Sequence, residues 1–428
     1  MPGVTTEKEM TFIYDAVIYI ENDRIVYAGK KVEAPEFEAD KVIDGKGHLA
    51  LPGLSNMHTH VPMSLLRSVG SDLALEDWLN KAIFPIERQL TDEAVRAGTD
   101  LSMLEQLQFG ITSFNDMYMR IDEVAKATID SGMRAMLSYG IVDFDESCND
   151  FPPAVEAAEK WHNTADGRIR VAMAPHSMTC MTLPALKKVK QAAEEMKLTV
   201  HMHISETQYD HNNSITRYGK TPIQLIDSIG LLDGPSVAAH CVWLDDTDIA
   251  IVAKRGMVVA HNPISNLKLA SGIAPIYKML EAGCDVAIAT DGVASNNNLN
   301  LWEELKLMPL LQKGKELNPT IITPAQAFRA ATTAGTKAMG YDRLGLVKEG
   351  YLADVILIDL DKPHLCPTND LASDIIYSIQ GSDVRMTMVN GKVLYLDGEY
   401  LTLDAKLVME RAKKEAYKLF ERAEKAKA

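Results

Sequence analysis

The chain has 428 residues, which is long enough to bury a large core and to form more than one domain. Hydrophobic residues make up 46% and charged residues 24%, the usual balance for a globular protein. The formal net charge of -15 argues against nucleic acid as a partner, because a phosphate backbone binds basic surfaces. This charge does not exclude a neutral nucleoside or base as substrate.

The cysteines and the terminal segment indicate the compartment. The five cysteines are far apart and form no C-x-x-C motif, which is typical of unpaired thiols in a reducing compartment. Residues 1–9 contain no apolar core of a secretory signal, and no apolar run approaches the roughly 18 residues of a membrane span. We expect a cytoplasmic protein without a membrane partner. A homo-oligomer, either dimer or tetramer, stays open.

Between residues 50 and 340, short apolar runs alternate with longer stretches of helical periodicity. Helices are clearest at 92–109, 184–197 and 245–255. Runs that are apolar on both faces favour a parallel sheet covered by helices, and eight such units match an α/β fold of the (β/α)8 TIM-barrel type. An open doubly wound sheet is the alternative, but it often carries a G-x-G-x-x-G loop, which this chain lacks. The eight runs are 51–60, 111–117, 134–142, 169–176, 198–205, 236–242, 257–263 and 285–292.

The flanks of this region differ from it in style. The first flank contains strand-like runs at 12–20, 24–28 and 41–44. The second contains runs at 353–360, 384–389 and 392–396, the last two joined by the hairpin turn Asn390-Gly391. We expect residues 1–50 and 345–402 to form one small β-sandwich domain, residues 51–344 the metal-dependent barrel, and residues 403–428 a C-terminal helix.

Polar residues recur where the predicted barrel strands end. Because side chains alternate along a strand, His58 and His60 point to one side of the first strand. Catalytic groups of a (β/α)8 barrel lie at the carboxyl ends of its strands. Such groups do not belong in an apolar core without partners, and a metal would supply one. Besides this pair, the polar residues at or just beyond run ends are His176, His203, Glu206, His240, His261 and Asp291.

A catalytic metal needs a few protein ligands and one open position. His58, His60, His203 and Asp291 offer three nitrogens and one oxygen. This mixed set favours one Zn²⁺ per subunit, with Fe²⁺ or Mn²⁺ as alternatives. His201 forms a second His-x-His with His203, but His203 lies nearer the catalytic rim. We therefore assign His203 as the ligand and His201 as a packed residue below it.

The remaining polar residues suggest hydrolytic chemistry. A bound metal lowers the pKa of a water to about 7, giving hydroxide at neutral pH. Asp291 would both bind the metal and accept a proton from that water. His240 would orient the hydroxide, and Glu206 would carry protons to the substrate as a general acid and base. Taken alone, Glu206 reads as a surface carboxylate and His240 as a core histidine.

Taken together and in this order along the chain, the motifs resemble those of the amidohydrolase superfamily. The chain closely resembles the superfamily's branch of 5-methylthioadenosine/S-adenosylhomocysteine deaminases, which includes 5′-deoxyadenosine deaminases. The likeness runs from about residue 16 to residue 395, and the motifs in this order are far more specific than any one alone. The segments that carry it are 51–60, 174–177, 203–207, 239–241, 261–272 and 290–292.

The resemblance implies a hydrolase that acts on a cyclic amidine C–N bond. Its substrate would be an adenine nucleoside (5′-deoxyadenosine, 5′-methylthioadenosine, S-adenosylhomocysteine or adenosine), converted to the inosine analogue and ammonia by attack of metal-bound hydroxide on purine C6. It implies the same four metal ligands, Glu206 as proton shuttle to the purine and His240 as the residue that polarises the hydroxide, with Glu206 and Asp291 both touching the substrate. Glu87 would hold the ribose hydroxyls, and His176 would lie near the sugar.

The long segment between His60 and the helix near Thr91 has features of a substrate-binding loop, independently of the family resemblance. Long βα loops are often lids or binding segments. This one holds Trp78, an aromatic that could cover a base, and Glu87, a carboxylate that could accept two hydroxyls. The alternative for Trp78 is inward packing.

Two features depart from the family pattern. Family members that favour the homocysteine-bearing substrate place an arginine shortly after the third strand, whereas residues 136–143 contain none. A carboxylate would lack its bidentate partner there, so we expect smaller 5′ groups. The usual opening strand is not evident in residues 1–11.

Three other readings compete with this function. A related amidohydrolase acting on a free base or triazine (guanine or cytosine deaminase, or chlorohydrolase) would give Glu87 and His176 nothing to hold. A non-catalytic metal-binding barrel would not need Glu206 and His240. A zinc site of the cytidine-deaminase type needs H-x-E and P-C-x-x-C, and the chain has neither.

Overall fold

A computed structural model of the protein describes residues 10–427. Strands and helices follow one another in the order that the sequence predicts. The strands are β1 (Ala16–Glu21), β2 (Arg24–Lys30), β3 (His48–Pro52), β4 (Leu54–Thr59), β5 (Ile111–Tyr118), β6 (Arg134–Ile141), β7 (Ile169–Pro175), β8 (Thr199–Ile204), β9 (Ser236–His240), β10 (Val258–His261), β11 (Val286–Ile288), β12 (Val355–Asp359), β13 (Val384–Val389), β14 (Lys392–Leu396) and β15 (Glu399–Tyr400).

Helices cover the barrel, and several begin at a side-chain cap, as at Thr91, Thr182 and Asp245. The helices are α1 (Leu75–Asp77), α2 (Phe84–Glu87), α3 (Asp92–Gln108), α4 (Ile121–Ser131), α5 (Phe151–Trp161), α6 (Thr164–Gly167), α7 (Leu183–Met196), α8 (Gln208–Tyr218), α9 (Pro222–Ser228), α10 (Asp246–Arg255), α11 (Pro263–Lys268), α12 (Ile276–Glu281), α13 (Val293–Asn296), α14 (Leu301–Glu316), α15 (Pro324–Ala330), α16 (Leu371–Tyr377) and α17 (Ala405–Lys427).

Strands β4 to β11 form one parallel sheet in chain order. Its first and last strands come together where the backbone N–H of Asp291, just past β11, donates to the carbonyl oxygen of His58 on β4 at 3.0 Å. This contact nearly closes the sheet into a barrel. Helices pack outside it, and apolar side chains from six of the strands pack with residues 334–344. The predicted (β/α)8 barrel is confirmed, and the open doubly wound sheet is excluded.

The two flanks join in a second, antiparallel unit. Strand β3 from the first flank pairs with β12 from the second, and β13, β14 and β15 extend the sheet. The hairpin β1–β2 packs against this sheet through Ile25, which is fully buried. Asn390 and Gly391 have positive φ values of 54° and 75°, as a two-residue hairpin turn requires. The predicted β-sandwich from both flanks is confirmed.

Local details of the prediction were wrong. The first run, 51–60, is two strands that break at Gly53, where a Cβ would lie 2.2 Å from the Thr112 side chain. Residues 41–44 form no strand. The predicted division at residue 50 falls inside β3, because this strand continues the antiparallel sheet to Pro52.

Most of the N-terminal segment lies outside the described residues, and the C-terminal segment is helical. Of the residues 1–11 in which no opening strand was evident, 1–9 lie outside the described residues. The predicted C-terminal helix is α17, which packs on α3, where Arg411 donates to Asp100 at 3.2 Å. Within residues 10–427, we find no helix with the length and apolarity that a membrane crossing requires.

Candidate metal centre and active site

The four predicted metal ligands meet at the carboxyl ends of β4, β8 and β11. The Nε2 atoms of His58 and His60 lie 3.4 and 3.3 Å from Oδ1 of Asp291. The ring centroid of His203 lies 4.8 Å from that of His58 and 5.5 Å from that of His60. One ligand atom from each of the three histidines falls within 4.8 Å of the others, and the same holds for the set of His58, His240 and Asp291.

The outer nitrogen of each ring is already engaged. Nδ1 of His60 donates to the carbonyl oxygen of Met117 at 2.6 Å, and Nδ1 of His203 donates to that of His176 at 2.9 Å. Nδ1 of His58 lies 2.9 Å from Nε2 of His201, the residue placed below the ligands. Because a carbonyl oxygen can only accept, His60 and His203 carry their proton on Nδ1, and in the neutral ring Nε2 keeps a free lone pair, as in metal sites whose ligands are oriented by outer partners.

A buried nitrogen atom without a hydrogen bond indicates that a cation fits between the candidate ligands. Nε2 of His58 is sealed from solvent and has no hydrogen-bond partner among residues 10–427, although Oδ1 of Asp291 lies 3.4 Å away. A buried nitrogen left in this way costs free energy that a metal ion would recover. Three imidazole nitrogens and one carboxylate oxygen are a donor set that suits Zn²⁺.

Burial keeps the imidazoles of His58 and His203 neutral, and a neutral imidazole is the form that binds a metal ion. Burial lowers the pKa of His58 to about 3 and lowers the pKa of His203 well below its ordinary value. Burial also acts to lower the pKa of His60, but Asp291 outweighs it and raises that pKa to about 9. Burial alone would raise the pKa of Asp291, yet the neighbouring imidazoles of His58 and His60 hold it well below its usual range. A cation between these groups would compete with the proton on His60.

Asp291 is held firmly by its neighbours. Its Oδ2 accepts hydrogen bonds from Ser265 at 2.6 Å and from Ser295 at 2.8 Å, and its Oδ1 accepts one from the backbone N–H of Gly292 at 2.7 Å. Its φ of 63° lies in the left-handed region, which is strained for a residue with a side chain. Strain of this kind persists where surrounding contacts impose it.

His240 and Glu206 form an acid–imidazole pair across from the ligands. Nε2 of His240 lies 3.6 Å from Oε2 of Glu206, and its ring centroid is 5.6 Å from that of His203. Nδ1 of His240 lies 2.9 Å from Oδ1 of Asn266 and 3.1 Å from Nδ2 of Asn262. Burial raises the pKa of Glu206, so its carboxyl holds a proton at higher pH than an exposed glutamate. Such a group suits general acid and base chemistry.

The predicted substrate-binding residues separate into two groups. The His176 ring is tilted against that of His203, with centroids 4.5 Å apart. Oε1 of Glu87 accepts a hydrogen bond from the Tyr118 hydroxyl at 2.6 Å, and the Tyr118 ring centroid lies 6.4 Å from that of His60. Both residues therefore lie next to the candidate ligands. Trp78 is buried, and its indole N–H donates to the carbonyl oxygen of Val69 at 3.2 Å. This is the inward packing of the alternative interpretation, and substrate contact by Trp78 stays a prediction.

Several residues of the site had no role assigned from the sequence. Asn262, Ser265 and Asn266 stand in the 261–272 segment and support His240 and Asp291. Their place in a family motif was a signal, but no local pattern shows which side chain each would contact. Tyr118, at the end of β5, gave no signal at all, because its contact with Glu87 is long-range.

Comparison with known proteins agrees with this geometry. The amidohydrolase family matches residues 49–394. A 5-methylthioadenosine/S-adenosylhomocysteine deaminase of Dictyoglomus thermophilum is 44% identical over 90% of each chain. A 5′-deoxyadenosine deaminase of Methanosarcina mazei is 43% identical over 98% of this chain and 97% of its own. A crystal structure of an adenosine deaminase from Xanthomonas campestris with bound zinc superposes with a TM-score of 0.93 at 31% identity, over 98% and 97% of the two chains.

The chain belongs to the amidohydrolase family. Its fold, a parallel barrel with an antiparallel sheet from both flanks, is that of a hydrolase of this family, and the relatives named above are deaminases, which act on C–N bonds. The resemblance noted in the sequence is thereby confirmed. Members of this superfamily use a divalent metal, and the residues gathered at the barrel mouth could hold one.

Proposed function

We propose that this protein hydrolyses the 6-amino group of adenine nucleosides that carry a small 5′ group, such as 5′-deoxyadenosine, 5′-methylthioadenosine or adenosine. One observation carries the proposal. At a single barrel mouth, a three-histidine and one-carboxylate cluster faces an acid–imidazole pair, and the Glu87 carboxylate stands in the same site. Relatives 43–44% identical are named 5-methylthioadenosine/S-adenosylhomocysteine deaminase and 5′-deoxyadenosine deaminase, which supports an adenine nucleoside as the substrate class.

His58, His60, His203 and Asp291 would hold one divalent cation, for which Zn²⁺ fits the donor set best. Such a cation would activate a water for attack on the purine. Asp291, braced by two serine hydroxyls, would accept a proton from the attacking water. Glu206 would deliver a proton to the purine, and His240, whose Nε2 lies 3.6 Å from Oε2 of Glu206, would orient the attacking water.

Glu87 favours a nucleoside over a free base. Its carboxylate is mostly buried, and burial raises its pKa, so it gains from any donor that enters the site. Two ribose hydroxyls would supply such donors, while guanine or a triazine would not reach it in the same way. The guanine deaminase and triazine hydrolase structures that match this fold are 18% and 24% identical, which supports a shared fold alone.

The rim after β6 favours an uncharged 5′ group. This segment carries Asp143, Asp145 and Glu146 and contains no arginine up to residue 150. Asp143 is buried and accepts from the backbone N–H of Cys148 at 2.7 Å. An anionic substituent would meet like charge from this segment, which supplies no guanidinium to pair with it.

A substrate screen tests the proposal. Zinc-loaded protein would be incubated with adenosine, 5′-deoxyadenosine, 5′-methylthioadenosine, S-adenosylhomocysteine, adenine and guanine, and deamination followed by ultraviolet absorbance and ammonia release. We expect turnover of the first three at the highest kcat/KM. Turnover of free bases alone would overturn the proposal, and a strong preference for S-adenosylhomocysteine would overturn the argument about the 5′ group.

A further inference from the structure

We infer that Tyr118 is a positioning residue for substrate: its hydroxyl fixes the Glu87 carboxylate in the orientation that receives the ribose hydroxyls. The inference rests on the proposed function, since it needs a ribose-bearing substrate. It adds a residue that neither the sequence nor the family motifs singled out.

The geometry of the pair is specific. The Tyr118 hydroxyl donates to Oε1 of Glu87 at 2.6 Å, the length of a strong hydrogen bond to a charged acceptor. No other hydrogen bond reaches this carboxylate from residues 10–427, so Oε2 and the remaining lone pair of Oε1 are available to a ligand. Two adjacent hydroxyls of a ribose match two oxygens of one carboxylate.

Tyr118 can act only as a donor in this contact. Burial raises the pKa of Tyr118 well above its ordinary value, and the neighbouring charge of Glu87 raises it further. The phenol therefore keeps its proton at any working pH. Its side chain is itself 7% exposed and sits at the end of β5, so it is a rigid anchor.

Glu87 needs such an anchor because of where its backbone lies. It ends the four-residue helix α2, which follows a π-helical turn at Trp78–Ile83 within the long segment after β4. Ile83 and Ile86 are buried and hold the backbone of this segment. They do not direct the carboxylate, and the Tyr118 hydroxyl is the contact that does so.

The variant Tyr118→Phe removes the hydroxyl and keeps the ring. Kinetics would be measured with adenosine and with 2′,3′-dideoxyadenosine, which lacks both hydroxyls. For adenosine we expect KM to rise about tenfold to a hundredfold with kcat changed little, as loss of a hydrogen bond to a charged group predicts. For 2′,3′-dideoxyadenosine we expect wild type and variant to share the same KM within a factor of about two.

Tyr139→Phe is the matched control. Tyr139 is the register partner of Tyr118 on β6, and its hydroxyl lies 3.4 Å from Asp150 instead of Glu87. We expect its KM for both nucleosides to equal that of the wild type. Thermal melting and zinc content would show that each variant is folded and loaded.

The kinetic results distinguish the role of Tyr118 from the proposed deaminase function. An equal rise in KM for both nucleosides in Tyr118→Phe, or no rise for either, would overturn the role of Tyr118 and leave the proposed function standing. If the wild type deaminates neither nucleoside, the proposed function fails, and the inference fails with it.

Discussion

Two buried charge clusters stand at opposite ends of the barrel, and they differ in whether their polar atoms are satisfied. At the amino end, Arg134 donates to both carboxylate oxygens of Asp354 at 2.9 and 3.1 Å and to Asn390 at 2.6 Å. At the carboxyl end, the buried Nε2 of His58 lacks a hydrogen-bond partner among the described residues, and the Nε2 atoms of His58 and His60 lie 3.4 and 3.3 Å from the Asp291 carboxylate.

The difference distinguishes a structural cluster from a binding site. The Arg134 cluster joins the barrel strand β6 to the antiparallel sheet, and its charges compensate one another inside the protein. The histidine cluster instead leaves a nitrogen without a hydrogen bond among several side chains of the kinds that bind metals. Burial alone therefore does not mark function, whereas an unpaired buried nitrogen within a set of metal-binding side chains points to a ligand. Four variants or treatments test this contrast between the two clusters.

Removing the metal should have the largest effect. We expect a chelator to lower deaminase activity by about 10⁴-fold or more, and added Zn²⁺ to restore it, because the water that attacks would lose its activation. The melting temperature should also fall, since a ligand that binds the folded state stabilises it. Activity assays and thermal melts with and without chelator measure this. Full activity in metal-free protein, verified by elemental analysis, would contradict the assignment of the histidine cluster.

Glu206→Gln should come next. We expect kcat to fall about 10²-fold to 10⁴-fold while metal content stays near that of the wild type, because general acid–base catalysis is lost and no ligand is removed. Steady-state kinetics and elemental analysis would be compared with Glu194→Gln, an exposed residue of α7 paired with Lys190. A Glu206→Gln enzyme that keeps most of its turnover would remove this residue from the proton path.

Arg134→Met should destabilise the protein without touching the metal site. It leaves Asp354 charged, fully buried and unpaired, which costs about 3 to 5 kcal/mol in free energy of unfolding. Denaturant unfolding measures this, with Arg329→Met as the control: its pair with Asp285 is more than one-third exposed, so the loss should stay below about 1 kcal/mol. Equal losses of unfolding free energy for the two variants would show that the buried Arg134–Asp354 ion pair does not stabilise the contact between β6 and the antiparallel sheet.

Ser265→Ala should give the smallest change of the four. It removes one of two hydroxyls that orient Asp291, so we expect metal affinity to drop about 10-fold to 100-fold. Competition with a metal-binding dye would report the affinity, and Ser131→Ala is the control, because this buried serine of α4 bonds only backbone groups, the Thr128 carbonyl and the Met133 N–H. Unchanged affinity in Ser265→Ala would mean that Ser295 alone suffices to hold the carboxylate.

Much of the fold was predictable because its signals are local. Each barrel strand lies inside the predicted run, apart from the single residue Tyr118 that extends β5, and the Asn390-Gly391 turn was readable from two residues. Failures occurred where local patterns were weak. Residues 41–44 contain apolar side chains but form no strand. The run at 51–60 divides at Gly53 because β3 pairs in the antiparallel sheet while β4 pairs in the barrel.

For the candidate site, the polar residues that end the strands could be predicted from the sequence, since apolar runs and side-chain alternation are properties of neighbouring residues. His58, His60, His203 and Asp291 could therefore be proposed together as metal ligands. Three features came only from the folded structure: which of these atoms lacks a hydrogen bond, that Ser265 bonds Asp291, and that Tyr118 bonds Glu87. These contacts join residues far apart in the chain, and closure of the barrel, which no local pattern specifies, brings them together.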